Sequence, residues 1–73
     1  MVQKPRGLAS IADFSKAIEL NPNDANYYDE RGFAYQYSNM NSEAIADYHS
    51  ALSIDPDDDM ALNNLQVLGV ASP

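Results

Sequence analysis

Apolar positions along the chain recur at helical spacing in four stretches, separated by short polar segments. Leu8, Ile11, Phe14, Ala17 and Ile18 share one helical face and predict a first helix near residues 8–20. Pro22 disfavours helical geometry in Asn21, so that helix should stop there. Asp24 is placed to cap a second helix near 25–38, on which Tyr28, Gly32 and Tyr35 follow at i, i+4 and i+7. Ser38-Asn39-Met40-Asn41 reads as a short turn between antiparallel helices. Ala44, Ile45, Tyr48, Ala51 and Leu52 form the apolar face of a third helix near 42–54. Asp58 is placed to cap a fourth near 59–69, built on Leu62, Leu65 and Leu68. No run alternates with the period of a strand, so the fold class is all-α.

The first and third stretches are the same pattern written twice. Ile11, Ala12, Asp13, Ala17, Pro22 and Asp24 recur unchanged 34 positions later, and Phe14/Tyr48, Ile18/Leu52 and Leu20/Ile54 recur in kind. A fixed period of this size means that each unit is one helical pair stacking on its neighbour. The organisation is therefore a stub at 1–7, a repeat domain at 8–70 and a tail at 71–73.

Residues 25–58 resemble one complete repeat of the tetratricopeptide family: Tyr28-x-x-x-Gly32-x-x-Tyr35, then Ala44-x-x-x-Tyr48-x-x-Ala51-x-x-x-x-Pro56. Gly32 and Ala44 are small where two helices would approach closely. Tyr28, Tyr35 and Tyr48 fill the space around them, Ala51 admits the next unit, and Pro22 and Pro56 end their units. Leu8–Asp24 resembles the second helix of a preceding repeat and Asp59–Gly69 the first helix of a following one. The chain so read is an excerpt of a longer array, with apolar faces exposed at its ends: Leu8 with Ile11, and Leu65 with Leu68. Three positions depart from the pattern. Arg31 stands where the family has Leu, and its guanidinium is expected to reach water past an apolar stem. Gln66 replaces a small residue and Gly69 an aromatic one. Gly32→Ala is expected to be tolerated, since Ala is the better helix former.

Charge narrows the partners. The chain carries eleven acids and four bases, a net charge of -7, and from Gly7 onward only Lys16 and Arg31 oppose the acids. Binding nucleic acid or anionic lipid requires clustered Lys and Arg, so both are excluded as partners. No apolar stretch spans a bilayer, and the first residues lack the apolar core of a secretory signal. A cytoplasmic protein is the expectation. At 73 residues, about 60% of the unfolded surface is buried on folding, so the domain is a marginal one.

There is no cysteine, which removes a disulfide framework and a thiolate metal site. Asp55-Pro56-Asp57-Asp58-Asp59 resembles the start of a calcium loop, but Met60 and Gln66 stand where Gly and Glu are required. His49 is the single histidine and is expected on an exposed face; no second one joins it at a zinc site or serves the serines as a base. Asp13 and Asp47, equivalent by repeat, read as exposed helix surface. No enzyme and no cofactor are implied.

The resemblance implies a concave face lined by the first helix of each unit. Its matching residues are Asn26, Asp29, Glu30, Phe33, Gln36 and Tyr37, then Met60, Asn63, Asn64 and Val67. The implied function is a protein-interaction module offering an acidic and aromatic groove to a peptide or helix with apolar or aromatic and basic residues. Phe33 reads equally well as a peptide anchor and as packing on a neighbouring helix. Family members that grip a terminal carboxylate use Lys, Arg and Asn. Asn64 matches one such position, but Asp29 and Glu30 would repel the ligand. Alternative roles are a spacer or weak self-association element of a longer array, through exposed terminal helices, and a regulatory appendage of an enzyme outside this chain.

Overall fold

A computed structural model of the protein describes residues 8–69. Four helices follow one another: α1 (Leu8–Leu20), α2 (Ala25–Tyr37), α3 (Asn41–Ile54) and α4 (Asp59–Val67). No strand occurs among the described residues. The stub and the tail lie outside them, as does the side chain of Leu8.

Each connection is built by its own short polar residues. Asp24, in extended backbone, accepts a hydrogen bond from the Asn26 amide at 3.0 Å and starts α2. α2 ends in a left-handed residue, Asn39, at φ 63°. The Met40 amide bonds back to the Tyr35 carbonyl at 2.8 Å and the Asn39 amide to Gln36 at 3.1 Å. That pairing closes the helix and satisfies its last carbonyls. Between α3 and α4 the Asp55 carboxylate accepts from the Asp57 amide at 3.0 Å, and Asp58 caps α4 through the Ala61 amide at 3.2 Å. The acidic run 55–59 is thus a helix–helix turn whose carboxylates hold backbone amides. Gly69, at φ 82°, donates to the Gln66 carbonyl at 3.0 Å and ends α4. A glycine adopts this left-handed geometry without strain, which suits it to closing a helix.

The helices pack in sequence order: α1 on α2, α2 most extensively on α3, and α3 on α4. The centre is Ala44, Tyr48, Ala51, Ala61 and Leu65, with Tyr28, Tyr35, Ile45, Leu52 and Leu68 half-buried around it. Tyr48 is fully buried, and its hydroxyl donates to Gln36 Oε1 at 2.9 Å. Gly32 lies beneath that ring. A Cβ there would stand 2.9 Å from Tyr48 Cε1, closer than carbon atoms can pack, so the expected tolerance of alanine is corrected.

Three further expectations are corrected. Asp47 is buried and bonded to Arg31, although its counterpart Asp13 is exposed. The Arg31 guanidinium, expected in water, instead ties α2 to α1 and α3. Leu65 is buried and Leu68 half-buried, so the exposed large apolar residues of α4 are Met60 and Val67.

Candidate functional site

The first helix of the complete unit, α2, carries three separate faces, and the candidate residues divide among them. One face points into the core with Gly32 and Tyr28. A second carries Arg31. Its Nε and Nη2 donate to the two carboxylate oxygens of Asp47 at 2.8 and 2.7 Å, and Nη1 donates to Ser15 Oγ at 3.1 Å. The guanidinium carbon also stands 5.9 Å from the Tyr28 ring centre and 5.7 Å from that of Tyr35. Hydrogen bonding to Asp47 raises the Arg31 pKa further above its ordinary value. This charge is fully committed inside the protein.

The third face is open. Phe33 is 49% exposed and Tyr37 69% exposed, one turn apart, with ring centres 6.2 Å from each other and planes inclined by 31°. Together with exposed Glu30 and the buried Ala34 they form one wall of a cleft of about 360 Å³. The opposite wall is Ser10 and Phe14 of α1. The cleft therefore lies between α1 and α2, where the sequence reading had placed a groove on α2 and α4. Ser10 and Phe14 escaped that reading. The signal for them was the repeat itself, since they correspond to Ala44 and Tyr48 one unit later.

Other sequence-designated residues stand elsewhere. Asn26 lines a separate polar hollow of about 340 Å³ with Asn21, Asn23, Asp24, Ala25, Ile54 and Asp55. Gln36 is half-buried and engaged by Tyr48. Asn63 and Val67 are exposed and Asn64 is half-buried on α4, away from the cleft lining. Asp29, expected beside Glu30 as a projecting charge, is only 2% exposed, so that placement is corrected. Burial first, then the adjacent Asp58 carboxyl, pushes its pKa up to about 8. Burial, with Asp29, Asp47 and Glu30 nearby, likewise raises that of Tyr48.

His49 is exposed on α3. Among the described residues no group of three or more His, Cys, Asp or Glu is arranged to hold a metal ion. No described helix is long and apolar enough to cross a membrane.

The tetratricopeptide-repeat family matches this chain over residues 25–58. Sperm-associated antigen 1 of Mus musculus is 30% identical over 64 residues, which is 88% of this chain and 7% of that protein. Small glutamine-rich tetratricopeptide repeat-containing protein 2 of Mycosarcoma maydis is 42% identical over 48 residues, 66% of this chain and 14% of the relative. The peroxisomal targeting signal receptor of Kluyveromyces lactis is 39% identical over 58 residues, 80% of this chain and 10% of the relative. The chain thus spans at most about a seventh of the length of these relatives. No solved structure matches it.

Proposed function

Since residues 25–58 are a tetratricopeptide repeat, we propose that this chain is a protein-interaction module whose contact face is the open side of α2 with α1. The carrying observation is the Phe33–Tyr37 pair, solvent-exposed on a helix whose other faces are fully engaged. Beside it, Glu30 contributes an exposed negative charge to the cleft rim. An apolar or aromatic side chain can enter between Phe33 and Phe14, while a neighbouring Lys or Arg meets Glu30. Family kinship supports the reading, for the Kluyveromyces relative bears the name of a signal receptor.

The positions on α4 named from the sequence, Asn63, Asn64 and Val67, do not line this cleft. With one cleft of modest size, affinity is expected on the order of tens of micromolar or weaker. The test is amide chemical-shift mapping with two peptides of equal length, aromatic–basic and aromatic–acidic. Shifts at Phe14, Glu30, Phe33 and Tyr37 for the basic peptide support the proposal. Preference for the acidic one, or shifts centred on His49, refute it.

A further inference from the structure

A buried carboxyl on α2 has the capping carboxyl of α4 as its neighbour. Asp29 is 2% exposed, and its Oδ1 has no hydrogen-bond partner among the described residues. The group it meets is the side chain of Asp58. Asp58 in turn holds the Ala61 amide and so sets the first turn of α4. Two carboxylates in contact repel each other, whereas a carboxyl and a carboxylate sharing one proton form a strong hydrogen bond. The surroundings sharpen the choice. Glu30 on α2 and Asp55 on the α3–α4 turn add negative charge, and on α3 the Tyr48 hydroxyl feels both Asp29 and Asp47. Arg31, the nearest base along the helix, is committed to Asp47.

We propose that Asp29 and Asp58 are a proton-operated latch, fastening the start of α4 to α2 while they share a proton and releasing it when that proton leaves. α4 otherwise rests mainly on α3, so the latch is its second attachment. The proton belongs to the pair, and Asp29 provides its buried half. The direction with pH follows from linkage. Burial and the neighbouring Asp58 carboxyl push the Asp29 pKa up to about 8 in the folded chain, from an ordinary value of 3.8. Between those values the native state binds more protons than the unfolded one, so stability falls as pH rises and levels off above the upper value. This is opposite to a salt-bridged aspartate, and it holds whether or not the cleft binds a peptide.

Carbon-13 detection of the Asp29 carboxyl during titration of the intact chain tests this directly. A midpoint near 8 is expected, and one near 4 overturns the latch. In the same series, helical ¹³Cα shifts of Asp59–Val67 should diminish between pH 6 and pH 9 while those of α3 hold. Parallel behaviour of the two helices overturns it too. Asp29→Asn keeps the shape and removes the titration, so α4 should no longer respond to pH. A response that persists in the variant refutes the assignment to Asp29. Should that variant not fold, the two measurements on the unaltered chain still decide.

Discussion

Arg31 and Asp47, sixteen residues apart, meet through two parallel hydrogen bonds of 2.8 and 2.7 Å that join α2 to α3. Their side chains are 21% and 6% exposed, so both charges are largely withdrawn from water and depend on each other. The third bond, to Ser15, brings α1 into the same junction. One side chain thereby holds three helices.

Asp47→Ala is expected to destabilise the domain by about 2–4 kcal/mol, because it strands a half-buried guanidinium. Asp13→Ala, at the same repeat position but exposed, should stay within about 0.5 kcal/mol of the parent. Leu65 is the one-repeat counterpart of Arg31 and sits in the core. Arg31→Leu with Asp47→Ala should therefore recover most of the loss, as buried ion pairs are commonly replaceable by apolar packing. Urea denaturation of the singles and the double gives the coupling directly. Additive losses would show that the pair does not act as a unit.

Gly32→Ala should lower stability by roughly 1–2 kcal/mol, the steric cost against Tyr48 exceeding the gain in helix propensity. Gly32→Leu should abolish cooperative unfolding. The ring cannot retreat, since Tyr48 is wholly enclosed. Tyr48→Leu in the Gly32→Ala background should make the alanine less harmful than it is opposite tyrosine. Thermal melts distinguish this from a requirement for glycine's backbone freedom, under which no change at Tyr48 would help.

The repeat and its boundaries were open to reading because they depend on local chemistry: apolar spacing, capping aspartates and helix-stopping prolines act within a few residues. Asp13 and Asp47 show where such reading ends. They share a repeat position and nearly the same neighbours, yet one is exposed and the other buried. The difference is Arg31, a residue on another helix. Asp29 teaches the same lesson, since its helical position suggested an outward charge, yet it is buried with Asp58 of the α3–α4 turn as a neighbour. Glu30, Phe33 and Tyr37, read from the sequence as groove-facing with Phe33 balanced between anchor and packing, are exposed on α2. Their partner Phe14 was hidden because its apolar spacing was already explained by packing of α1.

Phe33→Ala should remove most of the binding of an aromatic–basic peptide while leaving the melting temperature nearly unchanged, given its 49% exposure. Glu30→Gln should weaken binding only in low salt, because an exposed charge is screened beyond about 10 Å at 0.1 M ionic strength. His49→Ala is the control and should have no effect. Titration calorimetry at two salt concentrations reads all three.

Weak self-association is expected at high concentration, through Val67 and Met60 on α4, which are 73% and 37% exposed, meeting the cleft beside Phe33 of another copy. Burying one such side chain is worth roughly 1.5–3 kcal/mol. Val67→Lys should then shift sedimentation towards the monomer, and ideal monomer behaviour of the unaltered chain into the millimolar range would exclude the contact.

Packing each helix chiefly on its neighbours in the chain also governs how quickly the domain can assemble. No distant segment has to be captured before favourable burial begins, so little loop entropy opposes the first contacts. Helical domains of this local kind fold on the order of microseconds to milliseconds. The α2–α3 hairpin, the most extensively packed pair and closed by the Asn39 turn, is where that search would start. Arg31 and Tyr48 would be ordered first, with α1 and α4 added afterwards onto a formed template.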